Sequence, residues 1–130
     1  MERLTIVIPG PFPSLNDYIS SERRNRYAAA KVKRYQTERA AWHAGEAARK
    51  FGAKLPFAKP VIVGFHWFEP DNRRDVDNIV FAKKFVLDGL VMAGVLRDDS
   101  RRWVVGVRDH VSTDREHPGV EVQIFEMEED

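Results

Sequence analysis

Residues 73–100, RRDVDNIVFAKKFVLDGLVMAGVLRDDS, join two closely spaced aspartates, an apolar middle section and a second acidic end. The apolar side chains of residues 78–93 recur at helical spacing, and Gly94 follows them as a typical C-terminal stop. The stretch therefore predicts a helix over residues 78–93, with Asp77 as its N-cap. The acidic residues then lie at the two ends of this helix.

Strand-like segments flank the helix on both sides. Residues 61–68 (VIVGFHWF) stand between two prolines and are rich in β-branched and aromatic side chains, which favours a strand. Residues 103–111 (WVVGVRDHV) and 119–127 (GVEVQIFEM) have the same character, and a loop containing Pro and Gly separates them. This arrangement predicts that the last two strands pair antiparallel to each other.

The N-terminal part of the chain adds a strand, a loop and a long helix. Residues 4–8 (LTIVI) predict a strand that ends at Pro9, and the polar, basic residues 14–31 predict a loop. Residues 28–51 are rich in alanine with helical spacing of the larger side chains, which predicts the first helix. The resulting order β-α-β-α-β-β predicts an α+β fold, with two helices packed on a mixed sheet in one domain over residues 1–130.

Charge is distributed unevenly along the chain, although the net charge is only +1. Residues 1–60 carry 12 Lys or Arg against 5 Asp or Glu, whereas residues 61–130 carry 9 against 15. This asymmetry allows a basic surface for a polyanion beside an acidic cluster for a cation. Two ordinary solvated faces would explain the asymmetry equally well.

Several kinds of protein are disfavoured by what the sequence lacks. Because the chain has no cysteine, it forms no disulfide, and any metal must be held by oxygen or imidazole ligands. No apolar run approaches the roughly 20 residues that span a bilayer, and the first residues lack a signal-peptide pattern. We therefore expect a cytoplasmic protein without membrane association.

Asp75 and Asp77 are the centre of the candidate site. Inside a helix their side chains would point about 200° apart, so we expect both to precede the helix and to converge from an extended segment. On a helical projection Lys84 lies within about 20° of Asp77, whereas Lys83 lies about 120° away. Asp88 is placed to pair with Lys84 at i, i+4 as a structural contact.

Asp98 and Asp99 follow the predicted helix. A helix of about 16 residues is about 24 Å long, so the two acidic ends meet only through a curved loop within one chain or across a homodimer. Both arrangements stay open. Carboxylates without cysteine suit a hard cation such as Mg²⁺, with Mn²⁺ as an alternative, and a calcium loop fails because Val86 occupies its twelfth position.

The combined pattern resembles the RusA family of Holliday junction resolvases. The family pattern R-D-x-D-N, then Lys and L-D-x-L, then G-x-x-x-D-D, reads here as residues 74–78, Lys84, residues 87–90 and residues 94–99. In the best-known form of the family the lysine stands about one helical turn after the D-N pair, where this chain has Phe81. The resemblance implies a Mg²⁺-dependent endodeoxyribonuclease that resolves four-way or branched DNA, as a homodimer, by paired nicks during recombination and repair.

Site residues follow from the resemblance position by position. It implies that Asp75, Asp77 and Asp99 are metal-binding catalytic carboxylates and that Lys84 is the catalytic lysine. Contacts to DNA are expected from a set of basic or polar residues outside this centre: Arg73, Arg74, Arg23, Arg24, Arg26, Asn16, Lys31 and Lys33.

Two other functions stay open from the residues alone. The first is a non-catalytic module that binds branched DNA, in which the acidic cluster is structural. The second is a small metal-dependent phosphotransfer or sugar-nucleotide enzyme, whose stability would respond to nucleotides rather than to DNA.

Overall fold

In the computed structural model, which describes residues 3–127, one four-stranded sheet carries all the helices on one face. The α+β fold predicted from the sequence is confirmed. The elements in chain order are β1 (Arg3–Pro9), α1 (Leu15–Arg24), α2 (Arg26–Lys50), β2 (Val61–Glu69), α3 (Val76–Val80), α4 (Lys83–Met92), β3 (Val104–Thr113) and β4 (Gly119–Glu126).

The strand order across the sheet is β1-β4-β2-β3, with β4 antiparallel to both of its neighbours and β3 parallel to β2. The prediction that the last two strands pair with each other is therefore wrong, because β2 lies between them. Strand β4 buries Val120, Val122 and Ile124, which suits a central position between two strands. Strand β3 is largely exposed, which suits an edge.

The segment predicted as a loop over residues 14–31 is mostly helical, since α1 occupies its first half. Ser14 caps this helix in a reciprocal box: Ser14 Oγ accepts from the Asp17 amide at 3.1 Å, and Asp17 Oδ2 accepts from the Ser14 amide at 3.3 Å. Asn25 is extended, so α1 ends there, and its side chain caps α2 by accepting from the Tyr27 amide at 2.7 Å. The Ser-x-x-Asp spacing was the sequence signal for this helix.

The helix predicted over residues 78–93 is divided into α3 and α4 by a turn at Phe81 and Ala82. Helix α3 starts earlier than predicted because the Asp75 carbonyl accepts from the amides of Asn78 and Ile79. Asp75 is therefore the N-cap, and Asp77 lies inside the first turn of α3. The predictions that Asp77 is the N-cap and that both aspartates precede the helix are wrong.

Helix α2 lies antiparallel to β1 and overhangs the sheet. Arg39, in the middle of α2, donates to the Pro9 carbonyl at 2.6 Å at the end of β1, whereas Lys50 lies beside Arg3 at its start. The residues of α2 before Arg39 therefore extend past the carboxyl end of β1. We call residues 15–38, which form α1 and this first half of α2, the helical arm. No helix within residues 3–127 has the length and apolar character needed to cross a membrane.

Candidate functional site

Strands β1, β2 and β3 all end at the same edge of the sheet. This follows from their pairing, because β1 and β2 both run antiparallel to β4 while β3 runs parallel to β2. The loops after these strands touch: the Gly10 amide donates to the Pro118 carbonyl at 2.7 Å, and the Asp114 amide donates to the Glu69 carbonyl at 2.8 Å. The acidic residues that follow β2 therefore lie where three loops converge.

Arg74 ties these loops together immediately before α3. Its Nη1 donates to the Phe12 carbonyl at 2.9 Å and lies 3.6 Å from Glu69 Oε1, while its Nη2 donates to Asp17 Oδ2 at 3.4 Å. Glu69 is only 6% exposed, and this burial raises its pKa above the ordinary value of 4.5, against the opposing effect of Arg74. Arg74 therefore holds a buried carboxyl and two loops in place, although a third of its side chain stays exposed.

The two carboxylates of the D-x-D motif stand open to solvent at this edge. Asp75 and Asp77 are both exposed, and the Asp75 side chain makes no capping hydrogen bond. The neighbouring Asn78 is fixed, because its Oδ1 accepts from the Asn16 amide at 3.2 Å and so joins the starts of α1 and α3. Among the ion pairs formed within residues 3–127, none involves Asp75 or Asp77.

Lys84 lies between two carboxylates at the start of α4. Its Nζ donates to Asp99 Oδ2 at 2.5 Å and lies 3.0 Å from Asp88 Oδ1, so the predicted i, i+4 pair is confirmed. The hydrogen bond to Asp99 raises the pKa of Lys84, and Lys84 lowers the pKa of Asp99. Both groups are therefore charged around neutral pH.

Lys83 points to a different place. It forms an ion pair with Asp109 on β3, and Asp109 Oδ1 also accepts from Trp67 Nε1 at 2.9 Å. The helical projection, which assumed an unbroken helix, placed Lys84 rather than Lys83 beside Asp88, and that part of it is confirmed. Lys83 secures α4 to the edge strand, whereas Lys84 faces Asp99.

A cation could be held by only part of the predicted set within one chain. In the part of the chain that the structure describes, no group of three Asp, Glu or His side chains is close enough to hold a metal ion. The carboxylate of Asp99 accepts a hydrogen bond from Lys84. The carboxylates of Asp75 and Asp77 still fit Mg²⁺, which commonly binds one or two carboxylates and completes its shell with waters and substrate phosphates.

The predicted DNA-contacting residues fall into two groups. Most are exposed on the helical arm: Arg23, Arg24, Arg26, Lys31 and Lys33. The others lie close to Asp75 in the chain or contact its neighbours. The Arg73 side chain is 87% exposed, Arg74 contacts the Phe12 carbonyl and Glu69, and the Asn16 amide donates to Asn78.

Sequence reasoning missed Glu69 and Asp17, the two carboxylates that contact Arg74. The alternation along β2 contained a signal for Glu69, because every second residue from Val61 onward is buried and Glu69 is the last of that series. A carboxyl at an inward position of a strand needs a cationic partner. The nearest arginines in the sequence were the candidates for that partner.

Comparison with known proteins gives one family match. A family model described as Endodeoxyribonuclease RusA matches residues 9–125. No match to a curated protein was found. The matched range includes the helical arm, Asp75, Asp77, Lys84 and Asp99.

Proposed function

The chain belongs to the RusA family of endodeoxyribonucleases, and from this premise we propose that it cuts Holliday junctions by metal-dependent, paired nicks in opposed strands. Membership makes it an endodeoxyribonuclease of the type that resolves Holliday junctions. The observation that supports the finer proposal is the open pair Asp75 and Asp77. Two exposed carboxylates beside fixed loops offer oxygen ligands at the one sheet edge that the basic arm overhangs.

Asp75 and Asp77 would hold the cation, which we propose is Mg²⁺ or Mn²⁺. When bound there, such an ion supplies an activated water and neutralises charge on the phosphodiester. Lys84 contributes a permanent positive charge, because Asp99 keeps its ammonium protonated and oriented. We propose that this ammonium stabilises the negative charge that develops on the phosphate in the transition state.

Two copies of the chain suit the symmetry of the substrate. A four-way junction has near two-fold symmetry, so a homodimer would present one site to each of two opposed strands. A dimer could also bring an Asp99 towards the Asp75 and Asp77 of the partner, which keeps the three-carboxylate prediction open. The cytoplasmic location expected from the sequence is part of the same proposal.

A cleavage assay on a synthetic four-way junction tests the proposal. We expect the wild-type protein to nick opposed strands with Mg²⁺ or Mn²⁺ and to leave the junction intact in EDTA. Asp75→Asn and Asp77→Asn should each reduce nicking by about 100-fold or more. Their affinity for the junction should be unchanged or higher, because each removes a negative charge close to DNA phosphates.

The rival functions predict different results. A wild-type protein that binds the junction tightly but never nicks it, with any metal, would be a non-catalytic binding module. Protection from thermal unfolding by nucleotides rather than by DNA would favour a phosphotransfer enzyme. Weaker junction binding by Asp75→Asn would argue that the carboxylate pair does not face the phosphates.

A further inference from the structure

The outer face of the helical arm carries aromatic rings between basic side chains. Tyr27 and Tyr35 are 66% and 63% exposed, so both rings are open to solvent. At 100° per residue the two lie within about 80° of each other, with Lys31 between them. The buried Ala29 lies about 160° from Tyr27 and about 120° from Tyr35, so it faces away from both rings.

The helical arm that carries the two rings is strongly positive. Residues 22–38 contain six Lys or Arg against two Glu. The six are all exposed: Arg23, Arg24, Arg26, Lys31, Lys33 and Arg34. A second copy that presented the same surface, as in a two-fold dimer, would meet it with the same positive charge, whereas a polyanion complements it.

The position of the arm places these rings beyond the edge of the sheet that carries Asp75 and Asp77. Arg39 marks that edge through its contact with the Pro9 carbonyl. Helix α2 begins 13 residues earlier, at Arg26, and therefore reaches about 20 Å beyond it. DNA bound within reach of the carboxylates could therefore lie along the arm.

We propose that Tyr27 and Tyr35 stack on DNA bases whose faces are uncovered at a branch point, and that they make the protein prefer branched DNA to duplex. In a duplex each base face is covered by its neighbours, so only base edges and phosphates are accessible to a side chain. At a branch or an unpaired segment the faces become available, and tyrosine stacks on any base. This inference rests on the proposed function. It names the contact by which the protein would distinguish branched DNA from duplex.

The cations around the rings complete the contact. Tyr27 and Tyr35 are about 12 Å apart along α2, so each ring takes a different base of one strand. Lys31, between them, is placed to neutralise a phosphate of the same strand. The Arg26 guanidinium lies 5.2 Å from the centre of the Tyr27 ring, which adds a cation beside the stacked base.

Equilibrium binding separates stacking from simple charge attraction. Fluorescence anisotropy would measure Kd for a four-way junction and for a duplex of the same strand length, in EDTA so that no strand is cut. Tyr27→Ala and Tyr35→Ala should each raise the junction Kd by about fivefold to a hundredfold while leaving the duplex Kd within about twofold. Tyr27→Phe and Tyr35→Phe should bind both DNAs like wild type, whereas Lys31→Ala should weaken both.

Trp42→Ala is the matched control, because it removes a ring that is 62% exposed on the part of α2 that lies beside the sheet. It should leave both Kd values unchanged. A junction carrying 2-aminopurine next to the branch adds a direct readout, since stacking on a tyrosine ring changes its fluorescence. That change should occur with wild type and be absent with Tyr27→Ala combined with Tyr35→Ala.

Several results would overturn the inference. These are an unchanged junction Kd in the double alanine variant, an equal loss for duplex, or an equal loss in Trp42→Ala. A shift in sedimentation of the double variant without a change in DNA binding would show that the rings join two copies instead. If wild type nicks junctions but the double variant binds them normally, the stacking inference alone fails; if wild type binds no junction, the proposed function fails with it.

Discussion

Lys84 Nζ donates a 2.5 Å hydrogen bond to Asp99 Oδ2 and so ties the start of α4 to the loop that precedes β3. The Lys84 side chain is 59% exposed, so solvent screens the pair and limits its stabilising effect to about 1 kcal/mol. Asp99→Asn should therefore change the free energy of unfolding, measured in urea, by no more than about that amount. Junction nicking should nevertheless fall by about 100-fold or more, because the ammonium loses the group that orients it.

Asp88→Asn is the control for this prediction. Asp88 Oδ1 lies 3.0 Å from the same ammonium, so its removal also takes one negative charge away from Lys84. We expect Asp88→Asn to nick junctions at close to the wild-type rate. Equal losses in both variants would show that the total charge around Lys84 matters and that the specific contact with Asp99 does not.

The fold was predictable where the relevant signal is local. The strands β1, β2 and β4 were found from β-branched runs, because each buries alternate residues against one helical layer. The break between α3 and α4 was not predictable from periodicity, which continues through Phe81 and Ala82. The Phe81 ring packs 5.8 Å from the ring of Tyr18 on α1, a contact that only the folded chain defines.

The same limit applies to the candidate site. The sequence motif predicts Asp75, Asp77 and Lys84 as site residues because all three lie within one short segment. The surroundings of Arg74 could not be found this way, since the Phe12 carbonyl and Asp17 come from a distant part of the chain. The sequence therefore offered candidates for the chemistry, whereas the contacts that fix Arg74 beside them became visible only in the folded chain.

Glu69 should make stability depend on pH in a direction opposite to that of a paired surface carboxylate. Its pKa is raised by burial above the 4.5 of the unfolded chain, so the folded protein binds the proton more tightly. At neutral pH the buried, ionised Glu69 lowers the free energy of unfolding. This loss is regained as pH falls through the raised pKa of the folded protein towards 4.5, because the folded protein takes up the proton first. Thermal unfolding between about pH 7 and pH 4 should show wild type gaining stability relative to Glu69→Gln.

Glu38→Gln controls for the loss of one negative charge, because Glu38 is exposed on α2. The pH dependence that belongs to Glu69 is the part that Glu69→Gln loses and Glu38→Gln keeps. Parallel curves for wild type and Glu69→Gln would contradict the assignment of a raised pKa to Glu69.

Adjacent arginines should have different effects when removed. Arg74→Ala leaves the buried Glu69 without its cation and the Phe12 carbonyl without a donor, so we expect a loss of about 1–3 kcal/mol in unfolding free energy. Arg73→Ala should leave stability unchanged, because the Arg73 side chain is 87% exposed. It should weaken junction binding and reduce the slope of log K against log salt by about 1.

A salt titration of junction binding, combined with urea unfolding, distinguishes the two arginines. Arg74→Lys keeps one positive charge but cannot reproduce the forked contacts, so it should recover little of the lost stability. Loss of stability in Arg73→Ala equal to that in Arg74→Ala would contradict the separate roles.

Gly89 allows α2 and α4 to approach closely, and a methyl group there should force them apart. A Cβ on Gly89 would lie 2.7 Å from Ala40 Cβ and 2.8 Å from the Ala41 backbone nitrogen. Gly89→Ala should therefore lower the free energy of unfolding in urea by about 1–3 kcal/mol. Gly45→Ala, in α2 with no atom within 4 Å of the added Cβ, should instead raise the free energy of unfolding by about 0.5–1 kcal/mol.

The two variants should also differ in junction nicking. Because Lys84 lies in the first turn of α4, a shift of this helix in Gly89→Ala should move the lysine and reduce nicking, whereas Gly45→Ala should not. Equal activity in the two variants would show that α4 can shift without moving the lysine.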